Sequence, residues 1–533
     1  MQKLNRWVLH PLLIGSYAVL ALLAYNIGEI DPVYAVRPLL LSVALAGTLL
    51  LFFRLLLHDW RRAALAASLW VLLFVSYGHV HSIVLGLTGE DALISSHGTL
   101  LPIAIALGIL GVWLAARTKS IDAWTRALNV LGLVLVGFCV LQLGLYRVNA
   151  SMAAAAESDR ANPAQELGLS LPPGQIPPDV YYIILDTYPR ADALAVAFGY
   201  DNSWFVEQLE QRGFTIPDCS ESNYSFTANS LTSSLNMDYL PKVVPAITSQ
   251  TKDTTILYPA LEHGKVRGIL ESLGYKTVAV ETGYSPTEWQ DADYYLAPGQ
   301  SLLRVLTGGL TPFETLVLQS NMGTLLYDFR HHLPSRFGVL LDGAYVAHRN
   351  RILYVLGALE KEVPALPGPK FVFVHILAPH NPFVFGPQGE ILDRKTPFTL
   401  NNDLDALKPE DYIHGFRDQV NYLDQRTLDV IDSIISQSET APIIIIQGDH
   451  GSPRTADWKM AILNAYKLPR DGASQLYPSI SPVNSFRVVF DAYFGGSLGV
   501  LPDQQCLSNP RVSPFVCEPR PDPNPACAQL SQP

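Results

Sequence analysis

Five runs of apolar residues fill the first third of the chain, at about residues 7–27, 38–57, 63–87, 100–116 and 127–146. Each is close to the ~17–25 residues that a helix needs to cross a bilayer. Lys3 and Arg6 precede the first run. That run is long and four similar ones follow, so a membrane anchor is expected rather than a cleaved signal peptide. The loops alternate in charge. Arg54, Arg61 and Arg62 flank the turn between the second and third runs, and Arg117, Lys119 and Arg126 fill the loop between the fourth and fifth. The other loops carry Glu29, Asp31, Glu90 and Asp91, with Arg37 as their basic residue. Basic loops stay on the cytoplasmic side, so the pattern predicts a cytoplasmic N-terminus and an external segment after Tyr146. His79 and His81, near the end of the third run, are close enough to water to snorkel.

The pattern changes at residue 147. Residues 148–179 are rich in Ala, Ser, Glu, Gly and Pro with no apolar period, and read as a surface linker, part helical at its start. Beyond it, buried-strand runs alternate with amphipathic helices. Strands are expected at 180–185, 276–280, 371–377 and 443–446. Helices are expected at 205–212, capped by Asn202 or Ser203, at 261–273, stopped by Gly274, and at 419–435. Runs such as four consecutive isoleucines, 443–446, suit strands covered on both faces. The alternation predicts an α/β domain at 180–501, with a mostly parallel sheet between helices. Residues 301–366 are largely helical, interrupt the alternation, and read as an insertion or cap. A Pro- and Cys-rich tail occupies 502–533.

Composition agrees. A chain of 533 residues exceeds a single core, and 49% hydrophobic against 16% charged is apolar for a soluble protein. The net charge of −11 and the lack of a basic aromatic-rich stretch exclude general nucleic-acid binding. Cys139 lies in an apolar run. Cys219, Cys506, Cys517 and Cys527 lie in the external part, where disulfides can form with three possible connectivities.

Three of the expected strands run into residues that bind metals. The first ends at Asp186, followed by Thr187-Tyr188-Pro189-Arg190-Ala191-Asp192. The third carries His375 and leads to His380, and the last ends in Gly448-Asp449-His450-Gly451. Carboxylates and imidazoles at strand ends sit where open α/β sheets place ligands, and the mixed O and N set suits Zn²⁺ or Mn²⁺. A nucleophile is expected in the hydroxyl-rich segment Ser222–Met237, which leads into a helix whose N-terminus favours an anionic substrate.

The order Asp186, Ser225/Thr227, His375–His380, Gly448-Asp449-His450-Gly451 resembles the alkaline-phosphatase/sulfatase superfamily. With five spans ahead of the domain, it is similar to the membrane transferase branch, the lipoteichoic acid synthases and lipid A phosphoethanolamine transferases. The resemblance implies that Asp186, Asp449 and His450 bind the metal and that Ser225 or Thr227 is the nucleophile. It also implies that His380 holds the substrate phosphate or leaving group, and that His375 assists there or binds a second ion. Arg190 would pair with a substrate oxygen or with a neighbouring carboxylate. The sulfatase signature, Cys or Ser followed by x-Pro-x-Arg, is absent. The expected protein is an inner-membrane, metal-dependent phosphotransferase that acts on a phosphodiester such as a lipid head group. A Ser/Thr intermediate would pass the group to a glycan or lipid acceptor. A hydrolase of sulfate or phosphate esters is the alternative.

Overall fold

The computed structural model describes residues 7–89, 92–158, 162–171, 173–174, 176–298, 309–392, 398, 407–452, 454–455, 457–509, 513–518 and 521–529. Lys3, Arg6, Glu90 and Asp91 of the loop-charge pattern lie outside these residues, as do 301–308 of the expected insertion. The chain forms two compact units. One holds residues 1–150, 300–347 and 394–400, and the other holds 151–299, 348–393 and 401–533.

The first unit is built on α1 (His10–Tyr25), α2 (Val36–Leu57), α3 (Trp60–Thr88), α4 (His97–Arg117) and the start of α5 (Ile121–Ser158). α2 to α5 are long and apolar enough to cross a membrane, whereas α1, with 16 residues, is shorter. Large apolar side chains such as Leu41, Leu55, Ile109 and Val134 are exposed along them, as lipid-facing surfaces require. α5 runs well past residue 147. Part of the expected linker is therefore a continuation of the last apolar helix.

The second unit is organised by a six-stranded sheet. Its strands are β1 (Val180–Leu185), β2 (Lys276–Val280), β3 (Tyr294–Leu296), β4 (Lys370–Ile376), β5 (Ile443–Gly448) and β6 (Asn464–Lys467), in the order β3-β2-β4-β1-β5-β6. All neighbours are parallel except β5 and β6. The mostly parallel sheet expected from sequence is present, with two further strands at its edges. β3 is three residues long, and β6 reads Asn-Ala-Tyr-Lys, so neither shows the apolar run of a central strand. Val180, Tyr182 and Ile184 join a core cluster with Phe371, Phe373, Trp289 and Phe486. Successive strand residues point to opposite faces, and the alternate set Tyr181, Ile183 and Leu185 is also buried, so both faces are covered.

One expected helix is divided. Residues 261–273 fall in two pieces, Tyr258–Glu262 and Lys265–Ser272, separated at His263-Gly264. Gly264 is the extended N-cap of the second piece, and a Cβ there would meet the Leu235 carbonyl at 2.8 Å, so the close approach of the two backbones requires glycine. The amphipathic segment at 419–435 is longer than its apolar period indicates and spans Pro409–Gln437. The tail is not irregular throughout. β7 (Leu507–Asn509) and β8 (Ser513–Glu518) form a hairpin, and disulfides join Cys506 to Cys517 and Cys219 to Cys527. Cys139 is free.

Candidate metal centre and nucleophile segment

Register brings the two acidic candidates together. Leu185 of β1 lies opposite Gly448 of β5, so the next residues, Asp186 and Asp449, leave neighbouring parallel strands at the same edge. Asp186, Asp449 and His450 each offer a ligand atom, and these atoms all lie within 4.8 Å of one another. All three residues are buried. Asp186 Oδ1 and Asp449 Oδ2 have no hydrogen-bond partner among the described residues. Buried carboxylate oxygens without partners are costly, and a divalent cation would satisfy them. The donor set of two carboxylates and one imidazole therefore fits a metal.

Local backbone holds these groups in place. Thr187, with φ of 63°, turns the chain after β1, and its N–H donates to Asp449 Oδ1 at 2.9 Å. A Cβ at Gly448 would lie 2.2 Å from the Tyr188 carbonyl oxygen, so only glycine lets the β1 and β5 loops approach this closely. His450 Nδ1 lies 2.9 Å from the Gly451 carbonyl, which can only accept. That bond puts the proton on Nδ1 and leaves the Nε2 lone pair facing the cluster.

The hydroxyl-rich segment meets the cluster at one hydroxyl. Thr227 is the first residue of α6 (Thr227–Asn236), and its Oγ1 lies 3.3 Å from His450 Nε2. Ser225, two residues earlier, is fully buried. Its Oγ accepts from Ser508 N at 3.2 Å and lies 3.3 Å from Ser508 Oγ. Ser225 therefore fastens the C-terminal hairpin, and Thr227 lies against His450 of the candidate cluster.

Two histidines complete this side. His375 Nε2 is 3.5 Å from Asp186 Oδ2, and its Nδ1 is 3.1 Å from Thr287 Oγ1. His380 N donates to the Asp186 carbonyl at 3.1 Å, and its Nδ1 bonds to the Asn381 carbonyl. Burial pushes the Asp186 carboxyl up, but the imidazoles of His380 and His375 beside it, in their protonated form, outweigh that and hold the pKa at about 2. Arg190 is used differently. Its guanidinium is held by Asp192 at 2.8 and 2.9 Å and by Asp522 at 2.9 and 3.0 Å, and it also donates to the Ser220 carbonyl at 3.2 Å. The structure gives it carboxylate partners on both sides.

Residues without a signal in the sequence also stand here. His348, on the helix Gly343–Lys361, is buried and its imidazole is pushed down to about 3, by burial first and then by Arg351 and His380. Lys459 lies with its Nζ 4.4 Å from the centre of the Phe226 ring, next to Thr227. Burial lowers its pKa to about 8, although the Asp449 charge acts in the opposite sense. A single lysine in an irregular stretch carries no motif, which is why it escapes a reading of the sequence.

No family model matches the chain, and no curated protein matches it. Solved structures do. The periplasmic domain of a phosphoethanolamine transferase from Campylobacter jejuni is similar over 65% of this chain and 97% of its own, at 12% identity and a TM-score of 0.37. The integral membrane lipooligosaccharide phosphoethanolamine transferase A from Neisseria meningitidis is similar over 97% and 98%, at 14% identity and a TM-score of 0.36. A 2-O glycosaminoglycan sulfatase is similar over 64% and 76%, at 11% identity and a TM-score of 0.34.

Proposed function

We propose that this chain is a membrane-anchored, metal-dependent phosphotransferase acting on a phosphodiester, with Thr227 as nucleophile. The observation that carries the reading is the 3.3 Å approach of Thr227 Oγ1 to His450 Nε2, beside Asp186 and Asp449. Asp186, Asp449 and His450 would hold a divalent ion such as Zn²⁺ or Mn²⁺. When bound, that ion supplies positive charge that stabilises a phosphoryl oxygen and favours an ionised hydroxyl.

The chain's own residues account for the rest. Thr227 stands at a helix N-terminus, where free N–H groups and the helix dipole favour an anion. Its Oγ1 attacks phosphorus, an O–P bond forms, and the bond from phosphorus to the leaving alcohol breaks. The Thr227 hydroxyl proton goes to solvent as the oxygen ionises, and protonated His380, whose Nδ1–H is tied to a carbonyl, gives its Nε2 proton to the leaving oxygen. An acceptor hydroxyl then attacks the phosphothreonine, restoring Thr227 and carrying the phosphoryl group away.

The apolar helices on the same chain support a membrane-lipid donor and a glycan or lipid acceptor, with the α/β unit on the external side and the N-terminus in the cytoplasm. Two disulfides in that unit support an oxidising compartment. A formylglycine-type sulfatase is disfavoured, because Cys219 is bonded to Cys527. The test is turnover of labelled phospholipid by the purified chain, with mass analysis of the peptide containing Thr227. Turnover with a phosphorylated Thr227 is expected, and full turnover by Thr227→Ala would overturn the reading.

A further inference from the structure

Residues 309–341 stand between β3 and β4 in the chain, yet they pack with the apolar helices of the first unit. Their attachments run along one end of that helix bundle, where α2 starts, α3 ends and α4 starts. Arg37, at the start of α2, pairs with the buried Glu314 and donates to the Gly309 carbonyl at 2.8 Å. Phe313 and Val317, on α7 (Pro312–Ser320), enter a core with Val19 and Leu23 of α1 and Leu143 of α5. Asp328 closes α8 (Thr324–Asp328) and accepts from His97 Nε2, at the start of α4, at 2.6 Å. The His81 ring stacks on that imidazole at 4.2 Å.

Between these points the chain presses on α3 itself. A Cβ at Gly78 would lie 2.0 Å from the Gln319 carbonyl oxygen, so only glycine admits the end of α7 there. Two residues past α7, Met322 N donates to the Phe74 carbonyl at 2.9 Å. The level of this contact in a bilayer follows from length. α3 has 29 residues, so it is about 43 Å long, against a hydrocarbon core of about 30 Å. With Trp60, beside Asp59 and Arg61, at one boundary, the other falls roughly 20 residues on, near Val80. Phe74 and Gly78 therefore lie just inside that boundary, and His81 just beyond it.

The outer surface of the segment suits the same level. Leu326, Phe329 and Val339 are exposed, as are Leu93 and Ile94 in the connection that leads to His97. The Phe329 ring lies 5.9 Å from the His97 ring. Ile83 and Leu87, in the last turns of α3, are exposed at this end too. Apolar side chains left open beside imidazoles at the end of a span match the layer between head groups and acyl chains, and not water.

We propose that residues 309–341 are an interfacial membrane element, and that Leu326, Phe329 and Val339 enter the boundary between head groups and acyl chains. The occupant of the exposed patch is thus the phospholipid bilayer. This rests on the first unit spanning the membrane and is independent of the reaction assigned to Thr227. It gives the chain a second kind of lipid contact, made by a segment that lies, in sequence, inside the α/β domain.

The test uses the full chain in phosphatidylcholine nanodiscs, with Cys139→Ala as background so that one introduced cysteine carries an environment-sensitive fluorophore. Labels are placed through Phe329→Cys and Val339→Cys. Val134→Cys, in the apolar part of α5, and Ile391→Cys, exposed on the second unit, serve as references. Lipids spin-labelled near the head group or near the acyl end are the quenchers, and thermal midpoints check that each protein is folded. Labels at Phe329 and Val339 should lose fluorescence to the shallow quencher and little to the deep one. The label at Val134 should show the reverse, and the label at Ile391 should respond to neither. Labels at both Phe329 and Val339 that escape both quenchers, as at Ile391, would overturn the proposal. Shielding of these two labels only as protein concentration rises would assign the patch to a second copy of the chain, and would overturn it as well.

Discussion

Thr227 Oγ1 lies 3.3 Å from His450 Nε2, whereas the Ser225 hydroxyl, two residues earlier, is turned to Ser508. Both carry the same functional group on one short segment. The start of α6 separates them, because entering the helix turns Thr227 toward the strand ends and leaves Ser225 on the buried side.

That separation gives opposite expectations for two alanine variants. Thr227→Ala should lower turnover on the order of 10³-fold or more while leaving the thermal midpoint nearly unchanged. Ser225→Ala should keep most turnover and lose roughly 1 kcal/mol of stability with its bonds to Ser508. Turnover and thermal melts of the two proteins check this, and the reverse pattern would make Ser225 the nucleophile.

The metal prediction concerns Asp449. Its Oδ1 accepts from Thr187 N, and its Oδ2 faces the cluster. Asp449→Asn retains the first contact and loses the charge. Its affinity for Zn²⁺ should fall by more than the ~10–100-fold typical of changes to groups that only support a ligand. Chelator treatment should abolish turnover, and added Zn²⁺ or Mn²⁺ should restore it. Metal content by elemental analysis decides the matter, since a fully loaded Asp449→Asn protein would remove Asp449 from the ligand set.

Arg190 is expected to matter for folding and not for substrate. It is nearly buried between Asp192 and Asp522, and the Asp522 side chain is fully enclosed. Arg190→Met leaves a buried carboxylate without its partner, which costs about 3–5 kcal/mol. The measurement is chemical denaturation of the variant alongside its KM for a soluble phosphodiester. A raised KM at unchanged stability would place Arg190 on the substrate.

Asp424 should make stability depend on pH. It is buried, Tyr188 OH donates to it at 2.6 Å, and burial raises its pKa to about 8 against an ordinary 3.8. The folded state therefore holds a proton that the unfolded state releases. Stability from this group is fully present below about 4 and declines as pH rises from there to about 8. Asp424→Asn keeps the acceptor oxygen and removes the titration. Thermal midpoints measured across that range should fall less steeply for the variant, and parallel curves would refute the assignment.

The sequence by itself determined the broad architecture, because hydrophobic periodicity is a local property. Apolar runs of spanning length marked the helices of the first unit, and buried runs marked β1, β2, β4 and β5. β3 and β6 were not legible, since an edge strand is held by its neighbour's hydrogen bonds and needs no apolar run of its own. Asp186, Asp449 and His450 were legible because each follows a buried strand directly, and parallel register carries such ends to one edge.

What remained depended on distance between segments far apart in the chain, which no local pattern encodes. The tertiary structure alone separated Thr227 from Ser225, joined Cys219 to Cys527, and set Arg190 between two carboxylates. It also brought Lys459 beside Phe226. Hydroxyls two residues apart look alike in a sequence, and an ion pair between Arg190 and Asp522 exists only once the tail is folded back. The strand ends could be read from order along the chain, whereas the partners of each side chain were settled by packing.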